Sequence, residues 1–270
     1  EYRALRMLIP VFVLMFGFMT ATRASEWGNR DTFHEVSVIE HPRSPRALNN
    51  YVNYAMSKGR YDDAIDTLEK LIELTPNDAG AFLHMQVTKC ARQEIDSVAL
   101  KHATETAGTY PLQAYGHSAL QVLVVMTVEG RCGELTVDQM EPIVTAAFDY
   151  ARRNGAYYNI HNLYHLRAAI AMKRGYYAQG YSDLRVAHEM TGQIDLLHEL
   201  MKYQVVAKRW QDAEETLALM ELQNAQRFGI DTYVVEQSRR LLDDARQGRD
   251  VELQLDGSAM PVSGASAIVR

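Results

Sequence analysis

The sequence predicts an all-α protein, an α-solenoid of helical hairpins preceded by one transmembrane helix. Paired amphipathic runs separated by short turns recur along most of the chain, and hydrophobic residues repeat within them at helical spacing. The composition is that of a folded protein, with 47% hydrophobic and 23% charged residues. Residues 7–22, MLIPVFVLMFGFMTAT, carry no charge and lie between Arg6 and Arg23.

As a helix that uncharged run spans roughly 24 Å, slightly less than the roughly 30 Å of hydrocarbon in a bilayer. Ala4 and Leu5 extend it and the arginines can snorkel, which makes a membrane span the favoured reading of residues 1–24. A signal peptide, with Arg3 and Arg6 as its basic region, and a buried globular helix are the alternatives. Because the chain opens on Glu1 and not Met, it reads as part of something longer. Residues 25–44 form a linking segment, 45–247 a repeat domain with a capping helix over Thr232–Gln247, and 248–270 a flexible tail.

The first unit covers residues 45–78. Ala47, Tyr51 and Ala55 mark a first helix that breaks at Lys58-Gly59. A second helix carries Tyr61, Ala64, Ile65, Leu68, Leu71 and Ile72, and closes before Pro76. Two later units follow the same plan: Asn162–Lys173 with Tyr177–Met190, then a helix from Ile194 and another from Trp210. Between them lies room for two or three eroded units, read as Ala81–Ala91 with Ile95–Glu105 and Leu112–Thr127 with Val137–Arg153. Pro142 moves the expected start of the last helix toward itself. Ala64, Gly180 and Ala213 share one place early in the second helices, where a small side chain lets paired helices approach. Tyr61, Tyr177 and Trp210 precede them by three residues and are expected to fill the wedge beside the turn.

The run Gly59-Arg60-Tyr61-Asp62-Asp63-Ala64-Ile65, closing in Leu74-Thr75-Pro76-Asn77-Asp78, is similar to the tetratricopeptide repeat, and the resemblance extends over about residues 45–222. It implies a hairpin solenoid and leaves function open, since such scaffolds serve many partners. The N-terminal junction, from the apolar run through Thr22–Phe33 and His41–Ala47 into the first repeat, resembles the C-terminal end of bacterial O-antigen polymerases or ligases and related membrane glycosyltransferases with such repeats. That second resemblance implies a bacterial inner-membrane protein with its repeats in the periplasm, acting in envelope polysaccharide synthesis. The positive-inside count does not favour that side, because Arg23, Arg30, Arg43 and Arg46 follow the run.

A formal charge of -6 and the lack of a long basic block disfavour nucleic acid as a partner. The expected partners are proteins of a membrane complex, a glycan or lipid-linked sugar, and the membrane itself. Candidate contacts are first-helix side chains, which line the inner surface of a solenoid: Arg46, Asn49, Asn50, Asn53 and Met56 in the first unit, then Asn162, His165, Lys173, Asp195, His198, Glu199 and Lys202. Asparagine supplies both a donor and an acceptor, suited to an extended peptide or a sugar. Tyr176 and Tyr181 are candidate interface aromatics, while Tyr177 reads as repeat core. His161 and His165 share a helix face, but no spacing fixes a further ligand, so no metal, cofactor or catalytic residue is assigned. Cys90 and Cys132 match no metal spacing. They read as two buried thiols, with a single disulfide the alternative in an oxidising compartment.

Overall fold

The computed structural model describes residues 2–155 and 159–249, without the side chains of residues 2–9, 26 and 30. Among the described residues the chain forms thirteen helices and no strand. It divides into two compact units, one ending at Pro76 and the other beginning at Asn77. The tail expected from residue 248 onward lies, beyond Arg249, outside the described residues.

The first unit holds α1 (Tyr2–Gly28), α2 (Arg30–Glu40), α3 (Pro45–Ser57) and α4 (Tyr61–Leu74). Ser44 caps α3, its hydroxyl accepting from the Ala47 amide, and Pro45 opens the helix where no amide donor is needed. Asp62 and Asp63 place negative charge in the first turn of α4, where the helix dipole favours it. Arg60, in the turn between α3 and α4, clasps three helices. It donates to Glu35 of α2 at 2.9 Å, to the Tyr51 hydroxyl of α3 at 2.8 Å and to Asp63 of α4 at 2.6 Å.

Among the described residues no helix is long and apolar enough to cross a membrane. The span expected over residues 1–24 is therefore unsupported, and the side chains of its first nine residues lie outside the description. The charge-free stretch is short for a bilayer, and α1 contains Pro10 before running on through Arg23 to Gly28. What the structure does present is a helix exposing Val11, Phe12, Leu14, Phe16, Phe18 and Met19 to its surroundings.

The second unit is a succession of hairpins: α5 (Ala79–Cys90) with α6 (Ser97–Ala107), α7 (Ala114–Val128) with α8 (Val137–Arg153), α9 (Ile160–Lys173) with α10 (Tyr177–Thr191), and α11 (Ile194–Val206) with α12 (Trp210–Gln226). A last helix, α13 (Thr232–Arg246), packs on both α11 and α12. First helices pack on first helices from α5 to α7 to α9, α6 packs on α8, and α8 and α10 pack on the first helix of the next hairpin. The core between them is aliphatic, with Leu83, Leu120, Leu123, Ile143, Leu163, Leu166, Leu184 and Ile194 fully buried.

One backbone device closes the first helix of every hairpin, including that of the first unit. Gly59, Gln93, Gly130, Gly175 and Lys208 all adopt left-handed conformations, with φ of 70°, 63°, 69°, 81° and 56°. In each case the following amide reaches back to a carbonyl in the last helical turn, as Arg60 does to Ala55, Tyr176 to Ala171 and Arg209 to Gln204, each at 2.8 Å. This satisfies carbonyls that a helix end leaves without partners. Two hairpins, α5/α6 and α7/α8, occupy the eroded middle of the chain.

Two details differ from the sequence reading. Helix α8 begins at Val137 despite Pro142, because Gln139 accepts from the Thr136 amide at 2.9 Å and secures the start one turn earlier. Tyr177 is 43% exposed and is not core, whereas Tyr164 packs edge-on against the buried Phe148. The small residues are placed as expected: Ala64 and Ala213 are fully buried, and a side-chain carbon on Gly180 would meet Met172 at 2.7 Å.

Candidate functional site

Four of the expected contact residues converge on one cleft between the first helices α9 and α11. Asn162 and His165, three residues apart on α9, face Asp195 and Glu199, four apart on α11, and His161, Gln193 and Leu196 complete the lining. The cleft has a volume of about 10 Å³, roughly what one ordered water occupies. It is a small cleft in which polar side-chain groups meet a largely apolar wall.

Beneath it the groups are buried and paired. Glu199 and Lys202 form an ion pair of 2.5 Å within α11, and both side chains are under one-tenth exposed. They are therefore the floor of the site and not part of an open polar face. The Nδ1 of His165 is shut off from solvent with no hydrogen-bond partner, and burial, with Lys202 and His161 adding to it, lowers its pKa to about 4. Burial also lowers His198 and His117 to about 4, with Lys202 contributing at the first and His161 at the second. At neutral pH each of these rings is uncharged and carries one donor and one acceptor.

The tautomer of His198 follows from its partner. Ser238, buried on α13, donates its hydroxyl proton to the Val234 carbonyl at 2.8 Å, so it accepts from His198 Nδ1 at 2.6 Å. His198 Nε2 is then left as an acceptor. Asp195 has its pKa raised by burial first and by nearby Asp231 second, against an opposing effect of Arg227. Imidazoles, the carboxamides of Asn162 and Gln193, the Asp195 carboxyl and a Glu–Lys ion pair together offer both donors and acceptors. Such a surface suits hydroxyl and amide groups better than phosphate or sulfate.

The other expected residues are placed differently. Lys173 is exposed at the far end of α9, two turns from His165, and is not part of the cleft. On α3, Arg46 is exposed and Asn49, Asn50 and Asn53 are half-buried, but Met56 is 5% exposed and belongs to the core. Tyr176 is exposed with the Arg174 guanidinium 5.3 Å from its ring centre. Tyr181 is half-buried beneath Arg209, with its hydroxyl donating to the Tyr203 carbonyl at 3.4 Å. Sequence reasoning missed Gln193 and Ser238, which reach the site from a turn and from α13.

The two cysteines are joined. Cys90, at the end of α5, and Cys132, in the loop between α7 and α8, are buried and form a disulfide with 4.8 Å between their Cα atoms. The reading of two free thiols is thereby corrected: α5 and α7 pack side by side, which brings their ends together across a separation of 42 residues. Among the described residues, no group of three or more His, Cys, Asp or Glu side chains is placed to hold a metal ion. No protein-family model matches this chain, and no curated protein or solved structure shows significant similarity to it.

Proposed function

We propose that this chain is a non-catalytic, membrane-tethered repeat module of tetratricopeptide type, whose first-helix face around α9 and α11 captures a polar partner, a protein segment or glycan carrier of an envelope polysaccharide system. The observation that carries the proposal is the convergence of Asn162, His165, Asp195 and Glu199, side chains that both donate and accept hydrogen bonds, on one cleft. The five hairpins closed by one repeated turn support the repeat assignment. The apolar side chains of α1, exposed along several turns, support tethering to lipid, since a helix with no apolar partner in water is costly. The Cys90–Cys132 disulfide supports placement outside the reducing cytoplasm.

The test is retention of membrane components by the full chain, solubilised in detergent, with and without Asn162→Ala and His165→Leu. The proposal expects at least ~10-fold less of one discrete protein or glycan-bearing lipid with each variant. Equal retention by the variants and the parent chain contradicts the assignment of the site.

A further inference from the structure

Helix α11 also forms the floor of a second, larger depression. The second helices α10 and α12 stand apart above it and leave a groove of about 1000 Å³, the upper end of what a small-molecule site encloses. Polar and charged side chains make up most of its lining. Leu197 and Leu200 of the floor are buried in the core, so they open no pocket for an apolar side chain.

The hydrogen bonding of the groove follows from one carbonyl. The Gln193 carbonyl can only accept, so His188 Nδ1, 2.9 Å away, donates to it and His188 Nε2 is an acceptor. The Gln223 side chain, 2.9 Å from that nitrogen, therefore presents its amide group to it, which leaves Gln223 Oε1 as a buried acceptor without a partner. Gln204 of α11 lines the same groove at 6% exposure, and its Oε1 is also unpartnered. A buried acceptor without a donor costs ~1–3 kcal/mol. Two of them at one groove call for a ligand that brings hydroxyl or N–H donors.

The walls supply the rest of the chemistry. Ser182 and Arg185 of α10 are donors, and Glu189 of α10 and Glu215 of α12 are acceptors. Arg209 is engaged by Asp212 and lies 4.8 Å from the centre of the Tyr181 ring. Tyr181 and exposed Tyr177 stack at 6.5 Å and add flat aromatic area on the α10 side. Three carboxylates, Glu189, Asp212 and Glu215, outnumber the two guanidiniums, so a phosphate- or sulfate-bearing ligand meets a lining of its own sign. We propose that the α10/α12 groove binds an uncharged oligosaccharide segment. A sugar chain carries hydroxyl donors and acceptors around rings that also have a less polar face, which matches carboxamides, carboxylates and tyrosine rings together. An extended peptide needs pockets for alternate side chains, and the closed leucine floor provides none.

The experiment is binding of the labelled full chain to a printed array of neutral, sulfated and phosphorylated oligosaccharides, in a detergent without a sugar headgroup. Neutral oligosaccharides are expected to bind in preference to charged ones. Ser182→Trp fills the groove from an exposed position, and Gln223→Met removes the unpaired oxygen at similar side-chain length. Each should weaken the binding ~10-fold or more with helicity unchanged. Asn162→Ala, in the α9/α11 cleft, should leave it unchanged, so the two sites are judged separately. An array on which no neutral oligosaccharide binds, or on which charged ones bind better, would overturn the proposal. So would full binding by folded Ser182→Trp, or binding lost with Asn162→Ala.

Discussion

Arg167 of α9 grips Asp183 of α10 with two hydrogen bonds, Nε to Oδ2 at 2.7 Å and Nη2 to Oδ1 at 2.5 Å, while its guanidinium lies 4.2 Å from the centre of the Phe148 ring. Asp183 is almost wholly buried, so its charge depends on this fork and on the Gln179 amide, which donates to it at 3.0 Å. The pair ties the two helices of a hairpin to each other and to α8. Removing Arg167 leaves a buried carboxylate without its cation. Arg167→Ala is expected to cost ~3 kcal/mol or more in urea unfolding, and a loss under ~1 kcal/mol would show that the pair is not structural.

Stability should fall as pH drops from about 6.5 to about 4. Burial holds His84, His117, His165 and His198 at a pKa of about 4, below the usual 6.5. Over that window the unfolded chain takes up protons that the folded chain does not, so each histidine contributes stability above pH 6.5 that is lost on acidification, ~1 kcal/mol per pH unit. Urea midpoints at pH 7.5 and 5.5 measure this. His165→Leu should flatten the slope, and a midpoint that rises on acidification would contradict the burial of these rings.

The hairpin turns of the first and fourth pairs were legible because glycine at 59 and 175 advertises a left-handed residue. The turn at Lys208-Arg209 was legible from the helical runs on either side, though lysine does not announce its positive φ, and the left-handed residue at Gln93 was not legible at all. Lys208→Gly should accordingly stabilise the fold by ~0.5–1 kcal/mol. A lowered melting temperature would show that the lysine side chain contributes more than its backbone conformation costs.

At the site, i to i+3 and i+4 spacing was enough to place Asn162 with His165 and Asp195 with Glu199. The depth of Glu199 and Lys202 was not readable, because an acid and a base three apart look like any solvated helix face. Ser238 was invisible for a different reason: it reaches His198 only through the packing of α13 on α11. The disulfide likewise depends on α5 lying beside α7, a tertiary fact that spacing alone does not contain.

That α5–α7 contact sets two glycines face to face. A side-chain carbon on Gly116 would stand 2.9 Å from the Cα of Gly80, and one on Gly80 would stand 2.9 Å from the Cα of Gly116. Backbone cannot yield as a flexible side chain can, so Gly116→Ala is expected to cost ~1–3 kcal/mol. An unchanged melting temperature would mean that the helices cross elsewhere.

Closing the 42-residue separation between Cys90 and Cys132 stabilises the folded chain by about 4 kcal/mol in the loop-entropy description. Reduction should lower the urea midpoint accordingly and expose two thiols to alkylation. Equal stability with and without reductant would remove the bridge from the account of the fold.

The central claim, that the α9/α11 face captures the partner, is tested most directly by a photoreactive side chain placed at Asn162 in the full chain in native membranes, with a second placed at exposed Glu214 on α12 as comparison. A discrete crosslinked protein or glycan-carrier adduct is expected from position 162 and none from position 214. Adducts from 214 alone, or the same adducts from both, would contradict it.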